Sequence, residues 1–182
     1  MSENLPHRAA SSVPMQAQPW EGDLPARVRT AAPDGVLACS TYLGQHFIEV
    51  TPQALLSVLA FLRDAEQFDF LTDLTAVDHP QRDTRFELVY CLYSLAHNQR
   101  LRVKTQIGAD QKAPSITGLF PAANWLEREV FDMFGISFSG HPDLKRILLP
   151  EEWKGFPLRK ETSILAMDND WVRDNLHIES GQ

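Results

Sequence analysis

Five segments between residues 35 and 107 have the short, apolar character of β-strands and are bounded by turn residues. They are VLACS (36–40), QHFIEV (45–50), FDFLTDLTAVD (68–78), FELVYCLYSLA (86–96) and RLRVKTQI (100–107). A Leu-Gly turn separates the first two segments. The short HNQ link between the last two favours an antiparallel hairpin.

In two further segments the apolar residues are spaced as on one face of an α-helix. The first, ALLSVLAFLRDAE, follows Thr51 and Pro52, which are typical of a helix cap and of the first helical position. The second is predicted to begin near Ala122 and to end at Gly135, because glycine enters the left-handed turn that closes many helices. The apolar stripe of this second helix is formed by Leu126, Val130, Met133 and Phe134.

The order strand, strand, helix, three strands, helix predicts an α+β fold. We expect a single compact domain over residues 35–139, with a mainly antiparallel or mixed sheet and helices packed on one face. Residues 1–34 carry five of the twelve prolines and lack an apolar central stretch, so they predict a disordered N-terminal extension and no secretory signal. Residues 140–182, called the arm below, lose both periodicities and predict an extended C-terminal segment.

Composition narrows the possible functions. A chain of 182 residues with 43% hydrophobic content holds one ordinary domain, and its net charge of −7 argues against general nucleic-acid binding. No apolar run reaches the roughly 18 residues that a membrane span needs. Cys39 and Cys91 are too few to ligate an iron–sulfur cluster or a four-cysteine zinc ion, and they predict buried thiols in a reducing, cytoplasmic compartment.

The first part of the arm is locally basic. Residues 141–160 contain five basic and three acidic residues, a net charge of +2, against −9 for the rest of the chain. Trp153, Phe156 and Leu158 cannot build a core of their own in so short a segment. We therefore expect the arm to lie on its own domain or on another protein.

The charged residues of the second helix admit several interpretations. Glu127, Glu129 and Asp132, with His141 nearby, could act as acid and base, and the last three could ligate a metal. Acids on an amphipathic helix are more often ion-paired, Arg128 and Asp132 have pairing spacing, and the Glu-x-x-His pairs of di-iron bundles are absent. Gly-rich nucleotide loops are also absent, and the segment from Gly135 to Gly140 misses the G-x-S-x-G pattern by one residue. We predict no catalytic, cofactor-binding or metal-binding residues in this chain.

A long run of residues does carry a specific resemblance. The segment EREVFDMFGISFSGHPDLKRILLP (127–150), followed by WKGFPLRK (153–160), closely resembles the signature of the C-subunit of NADH:quinone oxidoreductase, respiratory complex I, which is the 30 kDa subunit family. Lys145 stands where arginine is common in that family, so the charge is kept but a forked, two-bond contact is not.

The resemblance implies a non-catalytic, hydrophilic-arm subunit of a proton-translocating enzyme complex. The chain would hold no cofactor, while FMN, Fe–S clusters and quinone would lie in partner subunits. It would pack on the quinone-site subunit (the D-subunit) and near the Fe–S subunits, on the cytoplasmic side of the inner (plasma) membrane, attached only through the complex. The family positions that match, to which we assign interface and structural roles, are Glu127, Arg128, Glu129, Asp132, His141, Pro142, Asp143, Lys145, Arg146, Pro157, Arg159 and Lys160.

Two other functions stay open at this point. The chain could be the homologous subunit of an energy-converting hydrogenase, a formate hydrogenlyase or a ferredoxin-fed quinone oxidoreductase. It could also be an independent acid/base enzyme that uses Glu129, Asp132 and His141. Because charges among large apolar residues are costly to bury unless they are paired, we expect the helix's acids and arginine to meet partners from the basic arm or from the quinone-site subunit.

Overall fold

The computed structural model of the chain describes residues 16–162 and 173–174. Within residues 16–162, three helices are interspersed among eight strands along the chain. In chain order these are β1 (Gln18–Pro19), α1 (Asp23–Ala31), β2 (Val36–Tyr42), β3 (Gln45–Val50), α2 (Leu55–Asp64), β4 (Phe70–Asp78), β5 (Phe86–Ser94), β6 (Gln99–Ile107), β7 (Ala113–Pro114), α3 (Ala123–Phe134) and β8 (Phe138–Ser139).

Six strands form a mixed sheet in the order β1-β2-β3-β6-β5-β4, and β7 and β8 form a small parallel pair. All neighbours in the large sheet are antiparallel except β3 and β6, whose parallel register runs from Phe47 opposite Arg102 to Val50 opposite Thr105. The parallel contact arises because the connection through α2 takes the chain from β3 to the far edge at β4, and the β4-β5-β6 meander then returns to β3. The predicted α+β class and mixed sheet are confirmed.

One apolar core lies between the helices and one face of the sheet. A single buried cluster joins Val28 of α1, Leu59 of α2 and Val130 of α3 to alternating strand side chains such as Leu88. Val89, the next residue of β5, is also buried but lies outside this cluster, on the opposite face. The helices therefore cover one face of the sheet, as the sequence predicted.

Two of the predicted boundaries of strands and helices agree with the structure, and a third differs. Leu43 and Gly44 have φ values of 52° and 74°, as the tight hairpin turn between β2 and β3 requires. Gly135 ends α3 in the left-handed conformation, with φ 73°. The start of α2 was predicted three residues too early, because residues 52–54 form a turn in which the Ala54 N–H donates to the Thr51 carbonyl at 3.1 Å.

The domain begins before residue 35. Of the predicted N-terminal extension, residues 16–34 are described, and they contain β1, which pairs with β2, and α1. Val28 of α1 is completely buried in the core, and the Trp20 N–H donates to the Cys39 carbonyl at 2.9 Å. The prediction of disorder was wrong for this part, because a nine-residue helix with two buried side chains has too little periodicity to stand out among prolines.

The ends of the chain are only partly described. The arm is described as far as residue 162, and from residue 140 to that point it has turns and bends with no helix or strand. The rest of the predicted arm, apart from residues 173–174, and residues 1–15 of the predicted extension lie outside the described residues. No helix within the described ranges is long and apolar enough to cross a membrane.

Val28→Ala tests whether α1 belongs to the core. Removing two buried methyl groups should lower the free energy of unfolding by about 1–3 kcal/mol, measured by denaturant titration of the full chain. The matched control is Leu37→Ala, because Leu37 is 67% exposed and its truncation should change stability by no more than about 0.5 kcal/mol. Equal stabilities for the two variants would show that α1 contributes nothing to the core.

Candidate functional site

Helix α3 buries three of its charged residues. Glu127 and Asp132 are completely buried and Arg128 is 9% exposed, whereas Glu129 lies on the exposed side of the helix. Charges placed in such surroundings are costly unless hydrogen-bond donors and counter-charges surround them. The contacts of these residues therefore determine what the helix and the arm can do.

Asp132 binds the arm through both oxygens of its carboxylate. Oδ2 accepts hydrogen bonds from three successive backbone N–H groups, those of Ile147, Leu148 and Leu149, at 2.8–3.0 Å. Oδ1 accepts a hydrogen bond from Arg146 at 2.8 Å. Burial acts to raise the pKa of Asp132, but the three N–H donors and Arg146 outweigh it and hold the pKa below its usual value. The arm therefore forms an anion-binding turn around an ionised carboxylate.

Arg128 also contacts the arm, although its spacing suits a pair with Asp132. Its Nε donates to the Lys145 carbonyl and its Nη2 to the Arg146 carbonyl, both at 3.2 Å. The guanidinium lies 5.1 Å from the centre of the Trp125 ring. Arg128 thus satisfies the carbonyl groups of the same arm segment whose N–H groups bind Asp132.

The end of α3 forms the seat for Phe156. A Cβ atom built on Gly135 would lie 2.5 Å from the Phe156 ring and 2.7 Å from Nη2 of Arg159. Two guanidinium groups contact the Phe156 ring, with Arg159 at 4.5 Å and Arg146 at 5.6 Å from its centre. Arg159 in turn donates to the Phe134 carbonyl at 2.6 Å. Glycine is required here both for its left-handed backbone and for the space above it.

A second buried aspartate holds the distal part of the arm. The side chain of Asp78, at the end of β4, accepts two hydrogen bonds from Arg85 at 2.8 and 2.9 Å and one from the Lys160 N–H at 2.8 Å. Arg85 also pairs with Glu161 of the arm at 2.5 Å. The bonds from Arg85 outweigh burial and lower the pKa of Asp78. The arm is thus attached at two buried carboxylates on different parts of the domain.

Glu127 differs from these two aspartates because its contacts are within the domain. Its Oε1 accepts a hydrogen bond from the Ile116 N–H at 2.7 Å. Burial raises its pKa more than this bond, Ser115 and His141 lower it. Glu127 therefore connects α3 to the loop that follows β7.

The remaining predicted site residues lie at the surface of the arm. Asp143 pairs with Lys145 at 2.7 Å, and both side chains are about 60% exposed. His141 bonds to the Asn124 carbonyl at 3.1 Å and accepts from the Asp143 N–H at 3.0 Å, which fixes the start of the arm on α3. Pro142 and Lys160 are exposed and Pro157 is half-buried.

The expectation that the helix's charges meet the basic arm is confirmed for Asp132, which pairs with Arg146. Glu127 was expected to do the same and instead bonds to Ile116 of the domain. Within the described part of the chain, no group of three or more His, Cys, Asp or Glu residues is arranged to hold a metal ion. Asp132, with four donors on its carboxylate, is poorly placed to accept a proton from a substrate.

Asp78, Arg85 and Phe156 are contact residues that the sequence analysis did not select. The sequence did contain a signal for Asp78. Leu74, Ala76 and Asp78 alternate along β4 on its buried face, where an acidic residue is unexpected. The sequence indicates only that Phe156 is one of three apolar residues of the arm that need a surface to pack on. Its contact with Gly135 cannot be predicted, because the two residues are 21 positions apart and no local pattern connects them.

Comparisons with known proteins agree on one family. The family model described as "Respiratory-chain NADH dehydrogenase, 30 Kd subunit" matches residues 48–167. The NADH-quinone oxidoreductase C-subunit of Cereibacter sphaeroides is 46% identical over 141 residues, which are 76% of this chain and 70% of that protein. The protein of the same name from a Roseiflexus species is 46% identical over 145 residues, 77% of this chain and 82% of its own.

A solved structure has the same fold. A chain of the archaeal membrane-bound sulfane sulfur reductase, a respiratory membrane complex, matches with a TM-score of 0.64 over 85% of this chain and 90% of its own. At 23% identity this likeness concerns the fold alone.

Gly135→Ala should detach the arm at Phe156. The left-handed backbone costs alanine about 1–2 kcal/mol, and the clash with the ring adds about 1–3 kcal/mol. Gly140→Ala is the matched control, because Gly140 has φ 85° but no atom within 4 Å of an added Cβ. Denaturant unfolding and limited proteolysis of the arm should show a larger effect for Gly135→Ala. Identical effects would mean that the seat for Phe156 contributes nothing.

Asp132→Asn should weaken arm attachment by about 3–5 kcal/mol, because it leaves Arg146 without its buried counter-charge. Since the folded pKa of Asp132 is lowered, its stabilisation is present above the unfolded value of about 3.9 and is lost as pH falls through the folded pKa. The protection of the amides of residues 147–149 against hydrogen exchange, relative to the intrinsic rate at each pH, should therefore fall on acidification in the wild type and fall less in the variant. Asp143→Asn, at an exposed pair, is the control and should leave the protection of these amides unchanged.

Proposed function

Because the chain belongs to the 30 kDa subunit family of the respiratory-chain NADH dehydrogenase, we propose that it is a non-catalytic subunit of a proton-translocating NADH:quinone oxidoreductase. Its role is to hold neighbouring subunits of the hydrophilic arm in position while electrons pass from NADH through FMN and Fe–S clusters to quinone. These cofactors lie in partner subunits, and this chain contributes no active site.

The proposal rests on one observation, which is that charged residues of the signature are engaged in hydrogen bonds between α3 and the arm. Asp132 and Arg146 bond to each other, and Asp132 and Arg128 also bond to the backbone of the arm. An acid that accepts four hydrogen bonds from one segment is suited to fixing that segment of chain. This supports a structural role for the signature, since its residues shape a surface and leave few groups available for chemistry.

The surface that results has the features of a protein contact. Trp125 and Glu129, one helical turn apart on α3, are exposed, and Leu148 of the adjacent arm segment is 62% exposed. We call these three residues the α3–arm face. Exposed aromatic and aliphatic residues beside an arginine are typical of the centre of an interface. We propose that this face packs on the quinone-site subunit, close to the Fe–S subunits.

Membrane association in this proposal is indirect. The chain lies on the cytoplasmic side of the inner (plasma) membrane as a peripheral subunit and is attached through its partners. The locally basic arm and the α3–arm face provide contacts to protein neighbours, which makes a direct lipid contact unnecessary.

Affinity purification of the tagged chain from gently solubilised membranes tests the proposal. Recovery with the quinone-site, flavin and Fe–S subunits, together with NADH:quinone activity, is the expected result. Recovery with hydrogenase, formate hydrogenlyase or ferredoxin-oxidising partners would assign the chain to one of those related complexes. Recovery of the chain alone would overturn the proposal and would return attention to Glu129, Asp132 and His141 as an active site.

Substitutions in the α3–arm face should reduce this recovery. Trp125→Ala should weaken subunit binding by about 2 kcal/mol, roughly 30-fold in Kd, if Trp125 is a central contact. Leu148→Ala should have a smaller effect in the same direction. Leu95→Ala is the matched control, because Leu95 is 70% exposed but lies in the β5–β6 turn. Loss of partners with Leu95→Ala, and none with the other two variants, would place the contact elsewhere.

A further inference from the structure

Glu127 is a buried carboxylate with very few partners. Its side chain is completely buried between α3 and the sheet. Oε1 accepts one hydrogen bond, from the Ile116 N–H at 2.7 Å. Oε2 is buried and has no hydrogen-bond partner among the described residues.

Two other buried acids show what a charged carboxylate needs at such depth. Asp132 has three N–H donors and Arg146, and Asp78 has Arg85 and the Lys160 N–H. Glu127 forms no ion pair with a lysine or an arginine in the described part of the chain. A lone ionised carboxylate away from water costs so much free energy that such groups usually become neutral.

The groups that face Glu127 do not supply the missing charge. From β5 comes Tyr90, which is completely buried and whose hydroxyl also lacks a hydrogen-bond partner among the described residues. From the loop after β7 comes Ser115, whose hydroxyl bonds to Thr117 at 2.9 Å. From the arm comes His141, whose Nδ1 accepts from the Asp143 N–H and whose Nε2 bonds to the Asn124 carbonyl, so both ring nitrogens are engaged away from Glu127.

We propose that Glu127 is a proton-binding site, with the proton held on Oε2 in the folded protein. Loss of that proton as pH rises places a negative charge between α3 and the Ile116 loop and loosens their contact. Burial raises the pKa of Glu127, in agreement with this geometry. Burial and the nearby carboxylate also raise the pKa of Tyr90, so its hydroxyl stays neutral over the same range.

The sign of the effect on stability follows from proton linkage. A carboxyl group whose folded pKa is raised binds its proton more tightly in the folded state than in the unfolded chain. Its contribution to stability is complete below the unfolded pKa and is lost as pH rises through the folded pKa. This is opposite in direction to the effect of Asp132 and Asp78.

Carbon-13 NMR of the glutamate side-chain carboxyl groups in the full-length chain tests the proposal directly. The Glu127 resonance is assigned as the one that disappears in Glu127→Gln. We expect it to titrate above about 4.3, the value of a free glutamate side chain. Titration at or below that value would overturn the proposal, whatever the stability of the variant.

Thermal unfolding across the same pH range gives an independent readout. Glutamine copies the shape of the neutral acid, so Glu127→Gln should lack the part of the fall in Tm with rising pH that Glu127 causes in the wild type. Glu129→Gln removes the same charge from the exposed side of the helix and should keep the wild-type pH profile. A Glu127→Gln profile parallel to that of the wild type would contradict the proposal.

Discussion

The Asp132 carboxylate fixes the path of the chain after β8. A charge buried this completely is costly unless hydrogen-bond donors stay in contact with it, so the segment that carries those donors is held in place. Three consecutive N–H groups and Arg146 meet the carboxylate, and they come from a segment with neither helix nor strand. That segment has no core of its own. Hydrogen bonds and ion pairs therefore hold it on a domain whose sheet and helices share one apolar core.

The other contacts of the arm follow from that attachment. Once residues 145–149 lie on α3, the chain passes the end of the helix, where Gly135 leaves space for Phe156 and where Arg159 reaches the Phe134 carbonyl. It then reaches Asp78, which binds the Lys160 N–H at the opposite end of the described arm. Two ionised aspartates and one glycine thus hold a segment that displays Leu148 to the surroundings. A protein whose task is to contact neighbours gains a preformed surface by this arrangement, and preformed surfaces lose less conformational freedom on binding.

Three of the buried carboxylates, those of Asp78, Glu127 and Asp132, have different environments and so different behaviour with pH. Asp132 and Asp78 are surrounded by donors and are stabilised as anions, whereas Glu127 has one donor and is stabilised as an acid. The first two attach the arm, and the third lies within the domain beneath α3. Protonation of Asp132 and Asp78 as pH falls weakens the attachment of the arm, while loss of the Glu127 proton as pH rises loosens the contact of α3 with the Ile116 loop. Docking of the arm should therefore be tightest between these limits.

The sequence by itself determined the α+β class, the β2–β3 and β5–β6 hairpins, the end of α3 at Gly135 and the family signature, because each depends on neighbours in the chain or on a continuous run of residues. It also indicated that charges of α3 would meet the basic arm, since unpaired buried charges are costly. Only the tertiary structure decided which charges those are: Asp132 turns to the arm, Glu127 to Ile116, and Arg128 to carbonyl groups instead of an acid. The roles of Asp78 and Phe156, and the place of α1 in the core, likewise depend on contacts between residues far apart in the chain. Local spacing cannot encode such contacts, because the partner of a buried group is set by how the whole chain packs.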